Sequence, residues 1–416
     1  MPVAVLHASV ARPSGRLGPL AVEAPDEDVF TLAVAAAEAL PPESRPVTRV
    51  DLVGEFPPES EWEILEALGT PEASVHRSPP GAAHLLETLR SHPDTPAAGV
   101  RLVLAGDVSA LGPGNRLEHG ALAVAFRLGD GPGLSFSSIA SHATSPATPS
   151  ARLRLPAAHG AEPTPLLLLG SEARVASAAR DAGGLGYAPG IVPHAPPGTG
   201  PAPSTPTAVA LRAAPPGEGG PIEFVLAALG ADRDVYAYGR STGRVAWSEA
   251  LSSATVALAA PPVRDTPADL DLRAEGAYVP RPRYVENLPS RWRLLADHCG
   301  ACGHRTFPSR GSCQACGSAE VAPEPLSRVG WIVEAVTTVR PGAQPTEFDR
   351  TVGLAGAYSV VVARSPEGPR ATFQVAGPSG TVALGASVVP VLRRLYPMEG
   401  EWRYGRKAIS GPNSSG

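Results

Sequence analysis

All four cysteines of this 416-residue chain lie between Cys299 and Cys316, and that fact constrains the rest of the reading. The spacing is Cys299-x2-Cys302, then ten residues, then Cys313-x2-Cys316, and each pair is followed by a glycine, Gly303 or Gly317. A Cys-x-x-Cys-Gly turn presents two thiolates from one tight bend. Two such bends facing each other make a closed, tetrahedral four-thiolate zinc site. A redox dithiol pair or an iron–sulfur cluster would use the same ligand type, but the spacing favours zinc. A closed site has no open coordination position, so the metal's predicted role is structural. His298 and His304 flank the cluster and are read as lying outside the ligand set, because four thiolates fill it. The same count leaves no cysteine elsewhere in the chain to act as a nucleophile.

The opening segment MPVAVLHASVARPSG lacks the charged-then-apolar pattern of a secretory signal, and no apolar run approaches the ~20 residues that span a bilayer. A cytoplasmic location is therefore expected, where clustered cysteines are metal ligands before they are disulfides. Charge is uneven. From Arg291 to Ser410 there are 14 Arg or Lys and nine Asp or Glu, a net of +5 within a chain of net −5, so the remainder carries −10. A basic module on an acidic body suits a phosphate-bearing ligand or an acidic partner surface.

After the cysteines come five β-like segments, at 330–339, 357–364, 369–377, 386–396 and 401–409, separated by Gly, Pro, Ser or Asp. Five short strands in about 80 residues predict a small barrel, most simply an OB-fold. The stretch LLADHCGACGHRTFPSRGSCQACGS, with Phe307-Pro308-Ser309-Arg310 between the knuckles, resembles the zinc-ribbon plus OB-fold family that accompanies thiolases. The resemblance runs from about residue 290 to 410, through VVARSPEGPRATFQV, VALGASVVPVLRR and RYGRKAI. It implies an association with acyl-CoA and with thiolase-type partners.

The N-terminal region alternates helical and strand patterns, which predicts an α/β layered domain. Residues 25–40 read as an amphipathic helix with an acidic start, 47–56 as a buried strand, 60–69 as a helix, and 101–109 and 117–133 as further strands. DEDVFTLAVAAAEAL, RLVLAGDVS and HGALAVAFRL resemble the thiolase superfamily, nearest to hydroxymethylglutaryl-CoA synthases and type-III ketoacyl synthases. The likeness is clear to about residue 135 and weaker over 160–260. The expected organisation is a degenerate thiolase-like body over 1–260, with halves at about 1–135 and 160–260 and a connecting loop at 141–165. A linker at 261–290, a zinc ribbon at 291–326, an OB-fold at 327–411 and a tail at 412–416 complete it.

Enzymes of that superfamily attack a thioester with a cysteine at a helix N-terminus. Here the matching position holds Pro79. Ser78 beside it would need a base, and reads more simply as the N-cap of a helix with Pro79 at its first position, running to about Leu89. Where the family's histidine and asparagine would lie, this chain has Gly170-Ser171 and Thr199-Gly200, and His194 sits in a proline-rich segment read as a loop. Only Glu55 falls where the synthases keep an acidic base. The chain is thus expected to be a pseudoenzyme: a non-catalytic acyl-CoA-binding scaffold or accessory subunit of a thiolase-type condensing complex. Arg310, Arg393 and Arg394 are the candidate contacts for CoA phosphates. The alternatives are an acyltransferase using Ser78 or Glu55, and a nucleic-acid-binding ribbon and barrel. The barrel's few aromatics and the acidic body argue against the last.

Overall fold

The computed structural model describes residues 4–17, 20–57, 60–79, 84–85, 88–89, 91, 99–108, 110–111, 117–119, 121–131, 134–143, 164–171, 187–194, 233–241, 246–251, 256–258, 281–340, 342, 356–377, 382–398 and 401–411. Thr199-Gly200, most of the 141–165 connection, residues 261–280 of the expected linker and the 412–416 tail lie outside them.

In chain order the N-terminal elements are β1 (Ala4–Ala11), β2 (Gly15–Leu17), β3 (Leu20–Val22), α1 (Val29–Glu38), β4 (Val47–Gly54), α2 (Ser60–Leu68) and β5 (Ser74–Ser78). They continue with β6 (Val100–Asp107), β7 (Ala110–Leu111), β8 (Leu117–His119), β9 (Leu122–Gly129) and β10 (Leu134–Ala143). Then come β11 (Thr164–Ser171), β12 (Tyr187–His194), β13 (Arg233–Ser241), β14 (Ala246–Glu249) and β15 (Val256–Ala257). Ten of these strands form one mixed sheet in the order β12-β11-β13-β10-β1-β9-β6-β4-β5, with β14 beside β1. His194, read from sequence as a loop residue, is the last residue of β12.

β9 is buried at every position, because a strand covered on both faces needs an unbroken apolar run. Its segment LAVAFRLG has that character except for Arg127, whose Nη1 donates to the Pro41 carbonyl at 2.6 Å. Helix α1 packs against β9, β6 and β1, burying Phe30, Leu32, Ala33 and Ala36. At the closest approach, a Cβ on Gly106 would lie 2.3 Å from the Val29 Cγ2, so β6 carries no side chain there. Asp28 caps α1: its carboxylate accepts from the Thr31 N–H at 2.8 Å, and Thr31 Oγ1 accepts from the Asp28 N–H at 2.9 Å.

A helix that sequence periodicity did not single out, α3 (Arg281–Arg293), occupies the end of the expected linker. It buries Tyr284, Leu288 and Trp292, a stripe at i, i+4 and i+8. Pro282 and Pro289 mask that stripe in the sequence. Next come the three-stranded ribbon sheet β16 (Leu295–Cys299), β17 (Arg305–Thr306) and β18 (Val321–Pro325), then the barrel strands β19 (Trp331–Val339), β20 (Tyr358–Arg364), β21 (Arg370–Val375), β22 (Ser387–Met398) and β23 (Glu401–Ser410).

All five strand expectations for the C-terminal region are met, and the strands close into a barrel in the order β19-β20-β21-β23-β22. Only the β21–β23 contact is parallel. Trp331, Val361, Phe373 and Val388 fill the barrel, joined by Leu294 and Ala296 from the ribbon. A second core runs from Phe30 and Leu104 of the body through Trp292 of α3 to Leu392 and Tyr404 of the barrel, making body, helix and barrel one packed unit. Among the described residues no helix is long and apolar enough to cross a membrane.

Candidate functional site

The four cysteine sulfurs lie within 4.8 Å of one another. Cys299 and Cys316 approach to 3.6 Å, as do Cys302 and Cys313. Four sulfurs each about 2.3 Å from a tetrahedral zinc would be ~3.8 Å apart, so the donor set is of the size that ion needs. The two knuckles are built alike. In each, the glycine N–H closes back on the first cysteine carbonyl at 2.9 Å (Gly303 to Cys299, Gly317 to Cys313). The glycines adopt φ of +71° and +74°, a backbone region that L side chains resist. In each, the first cysteine is buried and the second exposed.

Crowding of the thiols also favours a cation. The His304 N–H stabilises the Cys302 thiolate, yet its three cysteine neighbours outweigh that and push Cys302 up to about 12. Cys313, favoured first by the Cys316 N–H, falls to about 6. Neither flanking histidine is among the gathered donors. His298 Nδ1 instead lies 2.9 Å from Glu324 Oε1, on a carboxylate shared with Arg305.

Below the cluster, buried Asp297 organises the inter-knuckle loop. It accepts from Ser309 Oγ at 2.6 Å and from the N–H groups of Arg310 and Gly311 at 2.6 and 2.8 Å. Burial would raise its carboxyl, but these three donors hold it below the usual carboxylate range. The loop turns Phe307 and Pro308 toward the barrel, across a cis peptide bond. Between this loop, α3 and strands β20–β23 lies a cavity of about 520 Å³, walled by Trp292, Phe307, Phe373 and Tyr396 and bordered by Arg291 and Arg370. Leu395, the extra residue of a bulge between Arg394 and Tyr396, also lines it; bulges commonly re-aim a side chain in this way.

Arg310 is exposed and is not among the residues lining this cavity. Arg393 and Arg394, read from sequence as phosphate contacts, are directed elsewhere. Arg393 Nη2 pairs with Glu27 Oε1 at 2.9 Å, both side chains almost wholly buried, and Arg394 Nε pairs with Asp28 Oδ2 at 2.8 Å. Lys407, the chain's one lysine, reaches Asp26 Oδ2 at 2.8 Å, and Arg406 pairs with Glu38. Each of three consecutive acids before α1, and the acid at its end, therefore meets a separate barrel cation. Much of the positive charge that suggested a phosphate ligand is consumed within the chain.

Aromatic packing completes the joint. The Phe30 ring lies 4.6 Å from that of Tyr404 and 5.9 Å from that of Trp292. Trp292 Nε1 donates to the Tyr404 carbonyl at 3.1 Å, and Arg406 Nε to the Trp292 carbonyl at 2.7 Å. Of the barrel's few aromatics, Trp331, Tyr358 and Phe373 are buried, and Trp402 lies under Arg394 at 4.6 Å.

Ser78 ends β5, and its hydroxyl lies 3.3 Å from that of Thr88, which is not a base. Residues 84–85 and 88–89 are helical, while 80–83, on which the capping expectation turns, lie outside the described residues. Glu55 is exposed just beyond β4. Arg291 and Arg370 went unnoticed in the sequence; the available signal for Arg291 was its place beside Trp292 in the stripe of α3, and for Arg370 there was none.

No curated protein matches the chain. Among solved structures it is similar to a hydroxymethylglutaryl-CoA synthase complexed with CoA (18% identity, 35% of this chain and 46% of that one, TM-score 0.30). It is also similar to the Ltp2-ChsH2(DUF35) aldolase (20% identity, 28% and 84%, TM-score 0.22) and to smu.943c of Streptococcus mutans UA159 (18% identity, 35% and 49%, TM-score 0.30). The chain thus spans about half the length of the first and last of these. Residues 290–322, carrying the four gathered sulfurs, match the family described as ChsH2, rubredoxin-like zinc ribbon domain, and this part of the chain is a zinc ribbon.

Proposed function

We propose that the chain is a non-catalytic acyl-CoA-binding scaffold, an accessory subunit of a thiolase- or hydroxymethylglutaryl-CoA synthase-type condensing complex. The observation that carries this reading is the position of the sulfurs. Every thiol in the chain belongs to the ribbon cluster, and a thioester-condensing site of the usual kind needs a free thiolate. The position corresponding to that nucleophile holds Pro79. The cavity between ribbon, α3 and barrel supplies room for a ligand in the size range of small-molecule sites.

The ribbon's zinc would be held by Cys299, Cys302, Cys313 and Cys316 and would serve folding, fixing the loop that carries Phe307 and Pro308. The body and barrel, packed as one unit, would present the cavity to a separate thiolase-superfamily enzyme as partner. The test mixes the purified protein with radiolabelled acetyl- or acetoacetyl-CoA, alone and with the thiolase encoded nearest to it. No covalent label on the lone protein, with a stable complex and a faster or redirected reaction in the mixture, supports the scaffold. Label on the lone protein that vanishes in Ser78→Ala replaces it with a serine-dependent acyltransferase.

A further inference from the structure

The junction cavity has an unusual balance of side chains. Its walls are apolar and aromatic, four arginines line it, and no carboxylate does so among the described residues. Two of those arginines are engaged elsewhere: Arg403 with Glu401 and over the Tyr284 ring, and Arg406 with Glu38. The other two are the exposed ones. Arg291 is exposed on α3 and makes no ion pair among the described residues. Arg370 is mostly exposed and is held through Nε by Glu334 at 2.5 Å, a pair that fixes the base of its guanidinium. A planar guanidinium is suited to bidentate capture of a phosphate or carboxylate.

We infer that Arg291 and Arg370 anchor the anionic end of the ligand in this cavity, and that the ligand is a phosphopantetheine arm whose amide chain lies along Phe307 and Tyr396. This rests on the acyl-CoA reading above and replaces its sequence-derived anchors, since Arg393 and Arg394 are bound to the body and Arg310 lies off the cavity. The chemistry demanded is one phosphate next to a long uncharged arm, which free CoA and a carrier protein's phosphopantetheinylated serine both offer. Gly405 limits the space: a Cβ there would lie 2.6 Å from Leu395 Cδ1, so Gly405→Ala forces a shift of Leu395, which lines the cavity.

The test is calorimetric titration of the full, zinc-loaded chain with CoA, 4′-phosphopantetheine, pantetheine and a phosphopantetheinylated carrier protein. Binding of CoA and phosphopantetheine, with pantetheine at least tenfold weaker, supports the inference with a free ligand as source. Binding by the loaded carrier protein alone supports it with a protein-borne arm as source. Arg291→Ala, a change at an exposed position, and Arg370→Ala each weaken binding about tenfold and reduce its salt dependence. Gly405→Ala weakens phosphopantetheine and pantetheine alike, with zinc content as the check that the chain is folded. Equal affinity for pantetheine and phosphopantetheine, or wild-type affinity in both arginine variants, overturns the anchor while leaving CoA binding intact. Absence of binding by every probe overturns the anchor and the acyl-CoA reading together.

Discussion

The zinc ribbon and the joint between body and barrel are both built from opposed charges in tight contact, yet they are assembled in different ways. The ribbon gathers its four sulfurs from 18 consecutive residues, on two turns that each fold themselves through a glycine and a backbone hydrogen bond. The joint gathers Asp26 to Lys407, Asp28 to Arg394 and Glu38 to Arg406 across 381, 366 and 368 residues of sequence. A local assembly pays little loop-closure entropy, so a metal can organise it from an unfolded strand. A long-range assembly exists only once both partners are folded. Its charges must then be matched one to one, because a buried ion left without its partner is strongly unfavourable.

Breaking the local assembly has the largest expected effect. Cys313→Ser, or chelation, removes a metal whose binding contributes about 10–16 kcal/mol in zinc-finger peptides. The expectation is that zinc falls from one per chain to none by elemental analysis, with a lowered thermal unfolding midpoint. Retention of stoichiometric zinc in Cys313→Ser would show that the four sulfurs are not one site. For the joint, Lys407→Ala strands Asp26 and costs about 3–5 kcal/mol in denaturant unfolding, whereas Lys407→Met with Asp26→Leu recovers most of that loss. If the double variant is as unstable as the single one, the pair contributes more than mutual neutralisation.

Acid sharpens the comparison further. Burial by itself would raise the Asp26 and Glu38 carboxyls, but Lys407 and Arg393 beside the first, and Arg406 and Arg328 beside the second, outweigh it and lower both. A depressed carboxyl contributes stability that is fully present above the unfolded value, about 4, and is lost as pH falls through the folded one. The denaturation midpoint should hold from pH 7 to about 5 and drop below 4, and the drop should shrink in the Lys407→Met, Asp26→Leu double variant. An equal drop in that variant would place the acid sensitivity elsewhere. The smallest effect is expected at Arg12, whose 2.8 Å pair with Glu249 is largely exposed. Arg12→Ala should change stability by less than about 1 kcal/mol, and a larger loss would mean that this end of the sheet is held by more than packing.

What could be read from sequence follows the same division. The cysteine spacing located the ligand set, and alternating apolar residues between turn formers located all five barrel strands, because both signals are carried within a few residues. The start of α1 was legible as an acidic helix N-terminus, but only Asp28 caps it; Asp26 and Glu27 face the barrel. Helix α3 was hidden because Pro282 sits at its start and Pro289 interrupts a stripe of only three apolar residues. The net charge of the C-terminal region was counted correctly, but two of the arginines chosen from it, Arg393 and Arg394, are paired within the chain. A count of charges carries no information about which ones will be buried against each other.

The sequence by itself determined the zinc ligands, the barrel's strands, the alternating architecture of the body and the lack of a spare thiol, since each depends on residue type and short spacing. Only the tertiary structure decided that Arg393, Arg394, Arg406 and Lys407 bind the acids at the two ends of the chain's own first helix, and that Arg291 and Arg370 line one cavity. Those pairings join residues far apart in the chain, and their partners are chosen by how helix, ribbon and barrel pack once the apolar faces around Phe30, Trp292 and Tyr404 are buried.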